Sequence, residues 1–499
     1  MKKLKLNLIV SSVFQIVTIA YGFILPRLLI SKFGSDVYGL TQSIKQFLGL
    51  ISFLDLGVGQ VARSALYKPL AERNSLQISR VMVESARFYR TLAYILLGYI
   101  GALLAFYPLI VNRTFDWLFV AALIAVMSLG TIMQYFIGVV NEQLLHADQR
   151  SYLIYGVHIG CIVANLLLCL LMVYLDCSIH LIMLATAIVF LTKPLFYVFY
   201  IRKRYHIDWS APCDKKAFSQ KWNGMAQHVS AVVLDGTDNV VLTLFSSLSN
   251  VSVYSIYYMV IGSLQGFYQT VAVGIQSAAG AIWAKQNSDD INKMFVSTEF
   301  YLHTITLFLF GCAGVLIVPF VRVYTDGLTD GNYIRPVFAL LFAIAYGIRC
   351  LRTPYNIWIL AAGHFKQTQR CHIIAAALNL VISILMVWKW GLIGVAIGTL
   401  SAMCYQTLWL TVYAAKNLIK CSSKHIIKRY AVDAIVILLI VVATSWIRLT
   451  QISYWGWFIM AVKVGAIVAV CVVLVSILFY KAESLQIVKK FVRKSAGKS

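Results

Sequence analysis

The chain has 499 residues, of which 60% are hydrophobic and only 12% are charged. A soluble domain is usually about 45–50% apolar and about 25% charged, so a soluble protein of this composition could not cover its surface with polar groups. The formal net charge of +24 does not indicate nucleic-acid binding, because the basic residues are dispersed over loops between apolar segments. Composition therefore predicts a membrane protein.

Apolar segments of bilayer-spanning length recur along the chain and predict an all-α integral membrane protein of about fourteen transmembrane helices. The first follows the basic start, Met1-Lys2-Lys3-Leu4-Lys5, and continues to Ile30 without a small-residue cleavage site. We therefore interpret it as a membrane helix and not as a signal peptide. The predicted helices cover 7–30, 37–67, 88–111, 115–145, 152–175, 178–201, 222–248, 250–283, 298–321, 335–362, 372–388, 391–415, 430–447 and 456–480.

Lys and Arg residues are distributed unevenly over the predicted loops. The two termini and the alternate loops on their side hold 30 of them, the opposite side holds 6, and 7 lie inside predicted helices. Because cytoplasmic loops of membrane proteins carry an excess of Lys and Arg, this asymmetry predicts that both termini are cytoplasmic. An odd number of helices would separate the termini, so the asymmetry also supports the helix count.

Enzyme motifs are not found in the sequence. The longest predicted outer loop, 322–334, is too short for an extracytoplasmic catalytic domain. The chain lacks a GxxxxGK[ST] motif, a nucleophile elbow and a His/Cys/Glu cluster with metal-ligand spacing. The ten cysteines form no CxxC pair, and we interpret them as small residues of apolar surroundings. The sequence thus predicts a non-enzyme with no cofactor, no metal site and no nucleic-acid partner.

A weak internal repeat suggests two lobes. Shifting positions 37–67 by 216 residues places them on 253–283 without a gap, although chance similarity between apolar helices is the alternative. The matched pairs are Val37/Val253, Tyr38/Tyr254, Leu48/Leu264, Gln60/Gln276, Ala62/Ala278 and Ala65/Ala281. A shift by six helices keeps the orientation, so the repeat predicts two parallel six-helix lobes around a central cavity.

The predicted domain organisation follows from that repeat. Residues 1–201 form an N-terminal six-helix lobe, and residues 222–415 form a C-terminal one. A basic cytoplasmic linker, 202–221, joins them. Two additional helices lie within 430–480, ahead of a basic cytoplasmic tail, 481–499.

Cations inside predicted helices are the candidate substrate ligands. An ionisable group in hydrocarbon costs a few kcal/mol or more, so it is expected to face a cavity or a partner. Arg349 and Arg352 are three residues apart on one helix face, and Pro354 should bend that helix. The further candidates near proline or along helix 2 are Lys193, Arg27 and Arg63. Structural ion pairs and snorkelling to the interface are the alternatives for all of them.

Acidic residues and one histidine in the helices are candidates for ion coupling, since they could take up protons or sodium. They are Asp55, Asp235, Asp238 and His228. An alternative is that Asp235 and Asp238 neutralise the two arginines in a structural latch. We interpret Asp433 and Lys463 as peripheral structure, and Gly394 with Gly398 as a small-xxx-small pair for close helix packing.

Several short stretches are characteristic of one transporter family. They are Pro26-Arg27, Phe33-Gly34, Tyr38-Gly39, FLDLGVG at 53–59, TDN at 237–239, VYSIYY at 253–258 and GLIGVAIG at 391–398. With them the sequence resembles Wzx-type polysaccharide flippases of the multidrug/oligosaccharidyl-lipid/polysaccharide exporter superfamily. The resemblance extends over most of the chain.

The resemblance implies alternating access and flipping of an undecaprenyl-diphosphate-linked oligosaccharide in the bacterial inner membrane. The pathway would be O-antigen, capsule or exopolysaccharide assembly, with membrane lipids, a polysaccharide polymerase and a chain-length regulator as partners. It also implies that cavity cations bind the substrate, a role that Arg349, Arg352 and Lys193 would take. The alternatives are a cation-coupled multidrug exporter, which in this superfamily has twelve helices, and a membrane polymerase or glycosyltransferase.

Overall fold

The computed structural model describes residues 2–51, 58–111, 114–212, 225–283, 288–419 and 421–480. Within these ranges the regular secondary structure is entirely helical. Contacts divide the chain into two compact units, Met1–Ser252 and Val253–Ser499. The predicted linker 202–221 extends into residues outside the described ranges, and the predicted lobe boundaries remain a prediction.

The first unit contains long helices, most of them followed by short connections. The described helices are α1 (Lys2–Gly49), α2 (Val58–Ala71), α3 (Ser75–Val111), α4 (Trp117–Met133), α5 (Val139–Ala147), α6 (Ser151–Tyr174), α7 (Ile179–Arg204) and α8 (Met225–Phe245). A π-helical turn, Gln134–Gly138, joins α4 to α5. In α1 the helix bends at Gly34, whose φ of 86° is readily adopted only by glycine. This bend separates the first two predicted membrane helices.

The second unit is also helical throughout its described residues. Its helices are α9 (Leu248–Trp283, which begins in the first unit), α10 (Ser288–Tyr324), α11 (Pro336–Leu351), α12 (Thr353–Ala361), α13 (Phe365–Trp390), α14 (Leu392–Ala414), α15 (Ser423–Thr444) and α16 (Tyr454–Phe479). A second π-helical turn, Ala415–Ile419, follows α14. Each of the fourteen predicted membrane helices overlaps one of these helices, which confirms the all-α membrane fold.

Ten described segments are long and apolar enough to cross a membrane. Helix α15 is not among them, since its first half carries Lys428, Arg429 and Asp433. It nevertheless packs beside α16 on α10 through an apolar cluster that includes Val436, Val464 and Val468. The charged half of α15 therefore has protein partners, as described below.

Two glycines explain the close pairing of α13 and α14. A Cβ atom at Gly394 would overlap the backbone of Met386, and one at Gly398 would overlap the Ser383 side chain. The structure thus confirms the close packing predicted for this small-xxx-small pair. In the first unit Gly59 has a similar role in joining α2 to α3 and α5. A Cβ atom there would lie 2.8 Å from Gln143 Nε2 and 3.2 Å from Tyr89 Oη.

Candidate substrate and ion sites

The helix that carries the two predicted arginines is broken at Arg352. Pro354 has no N–H, so the carbonyl of Cys350 loses its ordinary helical donor. The Tyr268 hydroxyl of α9 donates to that carbonyl at 2.7 Å, and the Thr407 hydroxyl of α14 donates to the Ile348 carbonyl at 3.3 Å. The break predicted from Pro354 is confirmed. Side chains of two neighbouring helices satisfy the exposed carbonyls, as lipid surroundings require.

Arg349 and Arg352 are both half-buried in the second unit. The Arg349 guanidinium lies over the Tyr346 ring, 5.9 Å from its centroid. Arg352 stands at the junction of α11 and α12, where its Nη1 donates to Met403 Sδ at 3.6 Å and where it interacts electrostatically with His372. The two arginines therefore have different surroundings, although the sequence places them on one helical face.

His372 adds a neutral polar pair beside Arg352. Its Nδ1 lies 2.7 Å from Gln406 Nε2, and both side chains are buried. Because an amide nitrogen can only donate, Gln406 Nε2 donates and His372 Nδ1 accepts. This pair was not predicted, because His372 and Gln406 are 34 residues apart on different helices.

In the first unit, Lys193 and Arg63 both lie within electrostatic range of Glu142. The Glu142 carboxylate interacts electrostatically with both cations and is hydrogen-bonded to Gln134 of the π-helical turn. The structure thus brings together two predicted substrate ligands, from α7 and α2, around an acid of α5 that the sequence analysis missed. Glu142 is the single acid of α5, and an acid inside a predicted membrane helix is a signal that could have revealed it.

Histidines and buried polar atoms surround this group of charges. His146 interacts with Arg63, and His158 interacts with Lys193. Three buried atoms nearby have no hydrogen-bond partner among the described residues: Arg63 Nε, Gln143 Oε1 and Tyr197 Oη. Buried polar atoms usually have a partner, so these three indicate a place for water or a ligand group. We call Arg63, Glu142 and Lys193 the α5 cluster.

Of the remaining predicted residues, the structure describes the side chains of some and not of others. Arg27 is half-buried in α1, one residue after Pro26. Asp238 is 2% exposed in α8, a helix that packs in the first unit through Thr243, whose hydroxyl lies 2.6 Å from Ser43 Oγ. Asp55 lies outside the described residues, and so do the side chains of Asp235 and His228, although their backbone belongs to α8. Their role in ion coupling stays a prediction.

A second group of buried charges lies in the second unit. Of its residues, the sequence analysis named only Asp433. Glu299 of α10 accepts hydrogen bonds from Tyr355 at 2.5 Å and from His425 at 2.7 Å. One turn further along α10, His303 Nδ1 lies 2.6 Å from Asp433 Oδ2. Asp433 is therefore not peripheral, as the sequence suggested, but 2% exposed.

Arg429 completes this second group. Its Nη2 lies 3.4 Å from the carbonyls of Glu299 and Phe300, and its Nε lies 4.0 Å from Asp433 Oδ1. The guanidinium also stacks 4.4 Å from the Tyr480 ring centroid. We call Glu299, His303, His425, Arg429 and Asp433 the α10–α15 network. It joins the charged half of α15 to α10.

His425 lies in the first turn of α15, ahead of its apolar part. Its hydrogen bond to the Glu299 carboxylate raises the pKa of the imidazole above its ordinary value. The buried Glu299 carboxylate thus favours the protonated form of His425, across two helices.

Comparisons with known proteins identify the fold. No protein-family model and no curated protein matches the sequence. Among solved structures, an inward closed conformation of the lipid II flippase MurJ matches with a TM-score of 0.71 and 14% identity, over 95% of this chain and 99% of that one. The chain has a membrane transporter fold.

Two multidrug resistance MATE family transporters of the MOP superfamily also match. The inward-facing one has a TM-score of 0.60 and 15% identity over 81% of this chain and 95% of that one. The outward-facing one has a TM-score of 0.56 and 14% identity, over 82% and 96%. These structures are transporters and a flippase and not enzymes, and their likeness at this identity establishes the fold alone.

Proposed function

We propose that the chain is a flippase that moves an undecaprenyl-diphosphate-linked oligosaccharide across the bacterial inner membrane. The observation that carries the proposal is the coverage of the structural matches. The difference between the 95% covered by MurJ and the 81% covered by the MATE transporter is about 70 of the 499 residues. That length corresponds to α15, α16 and their flanking segments, which favours a flippase with two additional helices.

The cations of both units support an anionic substrate. Arginine donates two parallel hydrogen bonds to one phosphate, and it remains charged in apolar surroundings. Arg349 and Arg352 in the second unit, and Arg63 with Lys193 in the first, are the residues that we propose as ligands for the diphosphate. Arg27 is a further candidate. The α5 cluster has two cations for one acid, and this excess of positive charge suits a phosphate.

Ion coupling is the second part of the proposal. We propose Asp55, Asp235, Asp238 and His228 as groups that take up protons or sodium, and we add Glu142, since it is the acid that Arg63 and Lys193 share. Protonation of Glu142 would leave two cations with no anion beside them, which favours an anionic ligand. In this scheme, substrate binding and proton binding assist each other.

Orientation and partners complete the proposal. We propose that both termini are cytoplasmic, as the distribution of Lys and Arg predicts, and that the substrate enters from the cytoplasmic leaflet. O-antigen, capsule or exopolysaccharide assembly is the proposed pathway, with a polysaccharide polymerase and a chain-length regulator as partners. Reporter fusions at residue 480 should be active with a cytoplasmic reporter and silent with a periplasmic one, and the reverse pattern would overturn the orientation.

Drug export is the second candidate function, favoured by the MATE matches over four fifths of the chain. The excess of cations in the α5 cluster opposes it if the drugs are cationic, because like charges repel. The purified protein reconstituted in liposomes distinguishes the two functions. We expect it to translocate a fluorescent undecaprenyl-diphosphate oligosaccharide and not ethidium, and efflux of ethidium alone would overturn the flippase proposal.

Charge-conserving variants test the role of the arginines in the same assay. Arg349→Lys and Arg352→Lys keep the charge but lose the guanidinium fork, so translocation should fall about tenfold or more. Structural ion pairs would tolerate lysine. The matched control is Lys389→Arg, at the exposed end of α13, which should translocate normally. Unchanged translocation by the double lysine variant at normal membrane levels would remove both arginines from the site.

A further inference from the structure

A polar pocket lies in the first unit, and none of the three residues of the α5 cluster lines it. Its volume is about 560 Å³, and it lies where α3, the π-helical turn, α5, α7 and the segment after α7 meet. Its basic lining residues are Arg90, Arg202 and His206, and its aromatic ones include Phe136 and Trp209. Among the described residues that line it, none is acidic. We call this the α3–α7 pocket.

The segment that closes the pocket is held in place by specific contacts. The Tyr205 hydroxyl donates to Asp148 Oδ2 at 2.5 Å, and the backbone N–H of Asp208 donates to Ser79 Oγ at 3.0 Å. Ile207 packs on the apolar core of the first unit. Asp148 also accepts a hydrogen bond from Arg150 at 2.5 Å. A second acid, Asp208, lies in the closing segment, where its Oδ1 accepts a hydrogen bond from the Ser210 backbone N–H at 2.9 Å. Neither Asp148 nor Asp208 lines the pocket.

Exposed apolar side chains locate the pocket relative to the bilayer. On α3, Arg90 is one turn from Tyr94, which is 61% exposed, and both lie on one face. On α7, Arg202 follows Phe199, which is 69% exposed, by three residues. In a membrane helix such exposed apolar residues face lipid. Each arginine therefore lies at the end of a row of lipid-facing side chains, at the boundary between the hydrocarbon core and the headgroups.

We propose that the α3–α7 pocket binds the phosphate of an anionic membrane phospholipid. The guanidinium groups of Arg90 and Arg202 approach one pocket from two helices and can both donate to a phosphate. Basic pockets between helices on the cytoplasmic side of a membrane suit acidic headgroups. Trp209 and Phe136 supply the amphipathic and apolar surfaces that favour the interface. The volume is within the range of small-ligand sites and accommodates a headgroup with its glycerol.

Native mass spectrometry of the full chain with added phosphatidylglycerol tests the proposal. Each arginine near an anionic lipid is worth about 1 kcal/mol, or about fivefold in affinity. The double variant Arg90→Gln/Arg202→Gln should bind phosphatidylglycerol roughly 25-fold more weakly than the unchanged protein. The matched control is Arg87→Gln/Arg204→Gln, which removes two exposed charges from the same helices but from outside the lining.

Three outcomes would overturn the proposal. The first is an equal loss in the control variant, which would mean attraction by overall charge. The second is equal binding of phosphatidylcholine, which would exclude recognition of the acidic headgroup. The third is displacement of phosphatidylglycerol by millimolar inorganic phosphate or glycerol 3-phosphate, which would make the ligand a soluble anion.

A lysine variant keeps the test valid if the glutamine variant is poorly folded. Arg90→Lys/Arg202→Lys conserves both charges, so it should retain more phosphatidylglycerol than the glutamine variant. Binding as weak as that of the glutamine variant, in protein that elutes as a single species on size exclusion, would contradict a role for the two charges.

Discussion

The two units bury charge in different ways. In the α10–α15 network every acid has a basic partner within 4.0 Å: Glu299 pairs with His425, and Asp433 pairs with His303 and Arg429. In the α5 cluster one acid, Glu142, interacts with two cations. Both groups contain buried polar atoms without a hydrogen-bond partner among the described residues, such as Arg63 Nε in the first unit and His303 Nε2 in the second. A balanced network stabilises the packing of helices, whereas an unbalanced one can take up a ligand or a proton. We expect this difference in charge balance, more than burial, to distinguish structural charges from functional ones.

The largest effect is expected from a substitution that breaks the α10–α15 network. Asp433→Ala leaves His303 and Arg429 buried without their acid, and removing one partner of a buried pair costs about 3–5 kcal/mol. We expect the protein to lose folded material in the membrane, measured as the monodisperse fraction after extraction and as the thermal midpoint in detergent.

The matched control is Lys424→Gln, an exposed position in the same helix, which should change the thermal midpoint little. His303→Leu/Asp433→Leu should recover part of the loss, because apolar pairs often replace buried ion pairs at little cost. If Asp433→Ala unfolds at the same temperature as the unchanged protein, the network does not hold α15 on α10.

A substitution in the α5 cluster should change stability less than one in the α10–α15 network, and it should clearly change transport. Glu142→Gln removes the shared acid but keeps a hydrogen-bonding side chain of equal size. We expect translocation of the lipid-linked oligosaccharide to lose its dependence on the proton gradient, with normal membrane levels. The measurement is initial translocation rate in liposomes with and without an imposed pH difference.

The equivalent change in the other unit sharpens that comparison. Glu299→Gln breaks its pairing with His425 and should lower the thermal midpoint, while the remaining folded protein keeps its response to the pH difference. If instead Glu299→Gln abolishes the pH response and Glu142→Gln preserves it, the assignment of structural and functional charge is reversed.

The smallest expected effect is a pH dependence of stability from His425. Its pKa is raised in the folded protein by the Glu299 carboxylate. The stabilisation is therefore complete below the unfolded-state pKa of about 6.5, and it is lost as pH rises through the higher folded-state pKa. Thermal midpoints measured from pH 6 to pH 9 should fall across that window, and His425→Gln should remove this component. An identical slope in both proteins would mean that other groups cause it.

The sequence predicted the helices well because each is determined locally. A long apolar segment must be helical in lipid. Gly34 lies between two predicted helices, whereas the predicted helix 335–362 is two helices, α11 and α12, separated near the bend predicted from Pro354. The close approach at Gly394 and Gly398 was also predictable, since small residues four apart admit a neighbouring helix.

The candidate site was predictable only in part. Arg63 and Lys193 were selected individually, but the sequence does not reveal that both approach Glu142, because the three residues lie on helices whose packing is not encoded in any one of them. Asp433 and Glu142 illustrate the same limit, since each is the single acid of its helix. Asp433 pairs with His303 and Arg429, whereas Glu142 interacts with the two cations of the α5 cluster. Only these partners distinguish the two acids.

The break at Pro354 has a consequence for how substitutions act at a distance. The carbonyls freed there are satisfied by hydroxyls from α9 and α14, so the angle between α11 and α12 is set by Tyr268 and Thr407 and not by the backbone alone. Arg352 stands at the vertex of that angle. We therefore expect Tyr268→Phe and Thr407→Val, each the loss of one hydroxyl, to change the position of Arg352. A genetic screen for altered substrate preference should recover such positions beside those that contact the substrate.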